Sequence, residues 1–406
     1  MRILLVTAAG AHVPWIVPLS WASQLAGHEV RVAVRPMGVD AVRGTGLVTV
    51  PLGDEATIQR AQSRHQGLAY RGTPRNLPGN WFADPGLLDK DLRVNMALRL
   101  LAAAEGAAAD AVALAESWRP DLVVYDTVAS VGLVVAAAAG VPAVGHTFGY
   151  SFGFDYQGEE ELWTAYRRLF EPYGLDPVFP RFLVDPCPPA LRDPHRIPWA
   201  PMRLIAYNGP VVAEDWLTRR GGGPRVCITS GMTSTLLDGV VARIVDGAEK
   251  LGAEVVLAVD HRDRAGVAER PPAVRIVESY PLSVLAPTCD VVVHHSGVGT
   301  GMITAISGVP QVVLPQSTSQ DFWADKVERA GAGVAVRDVE HADPDALPGV
   351  IRDAVETVLD DPSYRERAEE ISRGNAAMPT PATIVGLLED CAAGADVRSS
   401  PLLRTA

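Results

Sequence analysis

Asp290-Val-Val-Val-His-His-Ser-Gly-Val-Gly-Thr300 decides the architecture, because an uninterrupted apolar run turns directly into histidine, serine, glycine and threonine. A run this apolar reads as a strand buried on both faces, the condition of a parallel sheet covered by helices. Gly297 and Gly299 let backbone N–H groups come close to a ligand that bulkier residues would hold away. The next segment, Gly301-Met-Ile-Thr-Ala-Ile-Ser307, has a short helical pattern, with Gly308 as its stop and Pro310 beyond. Strand, tight turn and helix N-terminus together predict an anion cradle suited to a diphosphate.

The same alternation extends outward in both directions. Upstream, the pattern predicts a strand at 226–229, a helix at 237–251, strands at 254–258 and 274–277, and a helix near 282–286. Downstream come a strand at 311–314, a helix at 320–330, amphipathic helices within 344–373 and 379–391, and a frayed tail at 393–406. The first half opens with a strand at Ile3–Thr7, a helix at 15–25, Gly27 as stop and a strand at 29–34. An alanine-rich helix at 98–116, the strand Leu122-Val-Val-Tyr-Asp126, a helix to Ala139 and a strand at 141–145 follow. Residues 71–86 carry Gly, Pro, Asn and Trp without period and read as a surface loop; 146–201 is aromatic and proline-rich, with one helix at 158–170. Arg219-Arg-Gly-Gly-Gly223 marks the domain boundary.

At 406 residues the chain is long enough for two domains, and 48% hydrophobic with 21% charged residues describes a globular core. A formal charge of -12 argues against nucleic-acid binding, which calls for a basic stripe. Among the 36 basic residues only Lys90, Lys250 and Lys326 are lysines, a bias of GC-rich bacterial genomes. Cys187, Cys227, Cys289 and Cys391 show no CxxC pairing and sit in apolar contexts, so buried free thiols and a cytoplasmic location are expected. The opening strand is too short for a signal sequence or a membrane span. No metal is expected, since no carboxylate cluster for a divalent ion stands out.

Ser296-Gly-Val-Gly-Thr-Gly301 partly matches the dinucleotide fingerprint GxGxxG, but the third glycine is misplaced. No acidic residue follows about 20 positions later at a strand end to take a ribose; Asp321 and Asp325 fall inside the expected helix. A nicotinamide enzyme is disfavoured.

The region from Tyr280 to Gly333 closely resembles the donor-binding half of inverting, nucleotide-sugar-dependent glycosyltransferases of the GT-B fold (family 1 type), in particular actinobacterial enzymes that attach deoxysugars to antibiotics and other natural products. Five elements carry the resemblance in order: Tyr280-Pro281, His294-His-Ser-Gly-Val-Gly-Thr300, Gly308-Val-Pro-Gln-Val-Val-Leu-Pro315, Ser319-Gln320 and Ala330-Gly-Ala-Gly333. It implies an α/β fold of two facing Rossmann-like domains with parallel sheets and a cleft between them. The acceptor-binding domain would span 1–206, a linker 207–222, the nucleotide-sugar domain 223–380, and 381–406 a C-terminal helix returning to the first domain, with the tail.

The resemblance assigns the donor to Gly231, Thr233, Ser234, Tyr280, His295, Ser296, Gly297, Gly299, Thr300, Ser319 and Gln320. His12, in Gly10-Ala-His-Val-Pro-Trp15, falls at the position of the family's catalytic base, and Asp126 matches the acidic partner that orients it; His28 belongs to a turn entering a strand and reads as structural. The chemistry is coherent: a hydroxyl is a weak nucleophile near neutral pH, neutral imidazole removes its proton, and a carboxylate fixes the tautomer. Ser319 stands where sugar-donor enzymes commonly place a carboxylate, and Ser279 where many place an aromatic residue. Losing the carboxylate suits a deoxysugar better than glucose. The acceptor is expected to be apolar and polyketide-like, received by Trp15, Trp81, Phe82, His146, Phe148 and Phe152.

The resulting expectation is a metal-independent hexosyltransferase of antibiotic biosynthesis that uses no cofactor, with a dTDP-deoxyhexose as co-substrate and His12 as general base. A sugar-nucleotide epimerase on the same plan, and a non-catalytic nucleotide-sugar- or aglycone-binding partner, are the alternatives. The partners expected are a small-molecule aglycone and a nucleotide sugar, with neither nucleic acid nor membrane. A homodimer, a helper or activator protein, and the choice between an O- and a C-glycosidic bond are left open.

Overall fold

The structure is a computed structural model that describes residues 1–8, 10–65, 90–150, 156–219, 222–231, 238–259, 274–339, 343 and 345–405. The first domain runs β1 (Arg2–Thr7), α1 (Val13–Leu25), β2 (Glu29–Val34), α2 (Val39–Arg43), β3 (Val48–Pro51), α3 (Glu55–Ser63), α4 (Lys90–Glu105), α5 (Ala108–Trp118), β4 (Leu122–Asp126), α6 (Val131–Ala139), β5 (Ala143–His146), α7 (Glu160–Arg167), β6 (Leu183–Asp185) and β7 (Trp199–Pro201). The second runs β8 (Arg225–Thr229), α8 (Asp238–Glu249), β9 (Glu254–Val259), β10 (Val274–Glu278), α9 (Leu282–Leu285), β11 (Val291–His294), α10 (Val298–Ile306), β12 (Gln311–Val313), α11 (Thr318–Arg329), β13 (Gly333–Ala335), α12 (Leu347–Asp360) and α13 (Pro362–Ala376), after which α14 (Pro381–Ala392) packs back on the first domain.

All named pairings are parallel, in the orders β3-β2-β1-β4-β5-β6-β7 and β10-β9-β8-β11-β12-β13. Period-two alternation sends successive side chains to opposite faces. Leu4, Val6, Val123 and Tyr125 pack under α5 and α6, while Ile3, Leu5, Leu122 and Val124 pack under α1 and α14. In the second sheet Val226, Ile228, Val291 and Val293 meet α8 and α12, and Cys227 and Val292 meet α9. Both faces are covered, which is why the strands read as unbroken apolar runs.

Where sequence and structure differ, short elements and tertiary ties are responsible. The helix expected over 98–116 is two helices, α4 and α5, broken at Gly106–Ala107 where Gly106 lies against the Ile58 backbone of α3. The helical stretch at 344–373 is likewise divided at Asp361, whose carboxylate accepts from Ser363 N and caps α13. The tail is not frayed throughout: Val397–Ser399 forms a 3-10 turn, and Arg404 pairs with Trp199 of edge strand β7 through two backbone hydrogen bonds of 2.8 and 3.1 Å. All four cysteines are buried free thiols. Among the described residues no helix is long and apolar enough to cross a membrane.

The segment joining the domains is anchored by Arg225, fully buried at the start of β8. Its guanidinium donates to the carbonyls of Trp216, Leu217 and Arg219 and pairs with both oxygens of Glu254. A charge so placed is tolerable because all three of its nitrogens find partners and one of those partners is a carboxylate. A second apolar cluster joins the domains themselves: Trp15, Phe148, Tyr150 and Leu204 pack with Met302, Phe322, Trp323 and Ile371. At its edge Asn375 of α13 holds Leu204 by a two-way amide pair, Leu204 N to Oδ1 at 2.9 Å and Nδ2 to Leu204 O at 3.0 Å.

Candidate active site

Winding reverses in each sheet between its third and fourth strands, and at such switch points the loops leaving the carboxyl ends diverge and open a crevice. In the first domain the pair is β1 and β4; in the second it is β8 and β11. The sequence puts a histidine after one strand of each pair.

His12 follows β1 in a 3-10 turn, Gly10–His12, and stands at the N-cap of α1, whose first turn Pro14 helps to preset. Asp126 is the last residue of β4 and is 2% exposed. His12 Nδ1 lies 2.5 Å from Asp126 Oδ2, and the other carboxylate oxygen accepts Val128 N at 3.2 Å. Asp126 is thus both an orienting partner and the Asx-turn residue that starts the next loop. A carboxylate only accepts, so the neutral imidazole carries its proton on Nδ1 and keeps its lone pair on Nε2. Burial pushes the imidazole down, but the charge of Asp126 and its hydrogen bond outweigh that and hold His12 above its ordinary value. The Phe148 ring lies with its centroid 4.3 Å from that of His12.

Across the cleft, Thr229 ends β8 in register with His294 at the end of β11. Thr229 Oγ1 accepts Gly231 N at 3.2 Å, and Gly231 takes a left-handed φ of 65°. The imidazole of His295 lies between Gly231 and Gly297, close enough that a Cβ on either would overlap the ring. His295 is 2% exposed, and its Nδ1 has no hydrogen-bond partner among the described residues. Burial, reinforced by His294 beside it, pushes its pKa down to about 3, so the ring is neutral near pH 7. His294 instead serves the framework: Ser296 N donates to its Nδ1 at 3.1 Å, which places the proton on Nε2 for Gln311 Oε1 at 2.9 Å. Burial holds His294 down at about 4.

Gly297 is the N-cap of α10, with no side-chain cap and no acidic residue in the first turn. The helix-end N–H groups around Gly299 and Thr300 and the positive dipole end therefore remain available to an anion. Ser296, at φ 62°, does not offer its hydroxyl to that anion: Oγ donates to Gln320 O at 2.7 Å, tying the cradle to α11. Gln320 Oε1 accepts Gln316 N at 2.7 Å, which leaves its amide NH₂ as the donor. Ser319 is 8% exposed, with Oγ 3.2 Å from Ser317 Oγ.

The remaining expected residues fall as follows. Tyr280 turns toward the linker, with its hydroxyl 3.4 Å from Val212 O and its ring 5.8 Å from Trp216. Trp15, His146 and Phe148 are buried; Trp15 reaches the Gly299 turn of α10, and His146 Nε2 has no partner among the described residues. Burial keeps His146 below its ordinary value despite the pull of Asp126. Thr233, Ser234, Trp81, Phe82 and Phe152 lie outside the described residues, as does the loop at 71–86. His28 Nε2 lies 2.9 Å from Glu389 on α14, far from this cleft chemistry. Among the described residues no group of three or more His, Cys, Asp or Glu side chains forms a metal-binding cluster.

Two residues of the site's support were not read from the sequence: Gln311 was readable as a polar residue in an apolar strand, and Lys326 as one of very few lysines. Tyr150 stands out in the sequence only as one of the aromatic residues crowding the loops of the first domain, with no sign of its bond to α11.

Two family models, the N-terminal and C-terminal domains of erythromycin biosynthesis protein CIII-like proteins, match residues 21–231 and 242–391. The chain belongs to this family. It is 33% identical over 427 residues to the aclacinomycin-T 2-deoxy-L-fucose transferase of Streptomyces galilaeus, covering 96% of each chain. It is 33% identical over 428 residues to the 10-deoxymethynolide desosaminyltransferase of Streptomyces venezuelae, covering 97% of each. The solved structure of the spinosyn rhamnosyltransferase SpnG complexed with thymidine diphosphate superposes with a TM-score of 0.77 at 29% identity, over 96% of this chain and 100% of that one. The chain is a glycosyltransferase of the GT-B fold.

Proposed function

We propose that the enzyme transfers a deoxysugar from a dTDP-sugar to an apolar, polyketide-like aglycone by single displacement with inversion, using no cofactor. The observation that carries the mechanism is the 2.5 Å contact of His12 Nδ1 with buried Asp126, which leaves Nε2 as the base. The acceptor hydroxyl gives its proton to Nε2 as its oxygen attacks the anomeric carbon. The bond from that carbon to the diphosphate oxygen breaks, and an α-linked donor yields a β-glycoside. Negative charge growing on the β-phosphate is met by the N-terminus of α10 and by a neutral His295 able to present an N–H, donors already aimed where charge develops. The thymidine diphosphate of SpnG and the deoxysugars in the relatives' names support the donor class, as does the serine at position 319.

His12→Ala tests the base: turnover is expected to fall by about 10²–10⁴, with dTDP affinity within about twofold of wild type. Unchanged turnover rules out His12 as the base. Mass spectrometry of products from a panel of dTDP-deoxysugars and polyketide aglycones tests the substrate class; transfer from UDP-glucose with none from any dTDP-sugar overturns it.

A further inference from the structure

Thr147-Phe148-Gly149-Tyr150, leaving β5 of the first domain, crosses to the second and touches His12, α10 and α11. The Phe148 ring lies tilted beside that of His12. Gly149, at φ 94°, lies so close to Val298 and Met302 on α10 that a Cβ would collide with both. Tyr150 is 4% exposed, and its hydroxyl donates to Ser319 O in the first turn of α11 at 2.9 Å. The next carbonyl of that turn, Gln320 O, accepts the Ser296 hydroxyl from the phosphate cradle. Two hydroxyls, one from each domain, therefore pin adjacent carbonyls of the turn bearing Ser319 and Gln320. Lys326, two helical turns further along α11, secures the same loop. Its Nζ lies 3.4 Å from Gly149 O, 2.9 Å from Leu191 O and 2.6 Å from Asp193 Oδ2, above the rings of Tyr150 and Phe322.

We propose that Tyr150 is a positioning residue: its hydroxyl sets the first turn of α11, and with it the sugar-facing Ser319 and Gln320, at a fixed place relative to His12 and the phosphate cradle. Its hydroxyl is already committed to Ser319 O, so it acts through that turn. The nucleotide cradle is built within the second domain from β8, β11 and α10, and it meets the α11 turn through the Ser296 hydroxyl, a bond that does not involve Tyr150. Loss of the hydroxyl should therefore affect the sugar's placement and spare the nucleotide. This inference rests on the donor reading given above.

Tyr150→Phe removes one oxygen and keeps the ring packing. The expected result is a five- to tenfold fall in kcat for a dTDP-deoxysugar that the wild type transfers. By titration calorimetry dTDP affinity should stay within twofold, and the pH midpoint of the His12 limb should not move. Unchanged kcat overturns the proposal, and so does a parallel loss of dTDP affinity, which would mark a general structural role. A wild-type enzyme that binds no dTDP defeats the donor reading itself, an outcome distinct from either of these.

Discussion

His12 and His295 follow central strands at the switch points of two similarly wound sheets, yet their surroundings make them chemical opposites. His12 is bound to a carboxylate and held above its ordinary pKa; His295 is pressed between two glycines, without a charged partner among the described residues, and held at about 3. In the proposed mechanism one accepts a proton and the other stays neutral beside the diphosphate. Equivalent topology supplies the location, and the first few neighbouring atoms supply the role.

The sharpest way to break the contrast is His12→Ala, with the large turnover loss given above. Next is Asp126→Asn, expected to lower kcat by about 10² because the imidazole loses both its tautomer control and the carboxylate that stabilises its cation. The pH profile gives the sign. With His12 raised above 6.5, wild-type activity climbs with pH through a midpoint above that value. Removing Asp126's charge leaves burial dominant, so the midpoint should move below 6.5. A midpoint that stays in place would assign the limb to another group.

His295→Ala is expected to weaken dTDP binding by about ten- to a hundredfold, the scale of a hydrogen bond to a charged group. It should leave the pH midpoint intact; a shifted midpoint would show that the two histidines are not independent. The smallest expected effect is Gly231→Ala, which places a Cβ into the His295 ring at a left-handed φ. Strain of about 1–3 kcal/mol should lower Tm by a few degrees and loosen dTDP binding, without altering the His12 limb. An unchanged Tm would mean that the ring yields freely.

Much of this was legible locally. The unbroken valine run before His294 and the Leu-Val-Val-Tyr-Asp126 strand declare parallel, doubly covered sheets, and the resemblance assigns roles to His12, Asp126 and His295. Three-residue strands such as β6, β7 and β13 offer too few alternations to show a period, so pairing with neighbours defines them. The fate of the Ser296 hydroxyl, and the Tyr150–Ser319 bond between residues 169 positions apart, depend on how the domains meet and leave no trace in spacing.

Helix α14, the last of the chain, packs Ile384, Val385, Leu387 and Leu388 into the same cluster as Ile3, Leu5, Ile16 and Val17 near its beginning. On the ribosome, then, the first domain's apolar face under α1 stays uncovered until α14, which follows every strand of the second domain, has left the tunnel. The second domain, continuous in the chain, has all its strands by then. The domain that is made first is finished last.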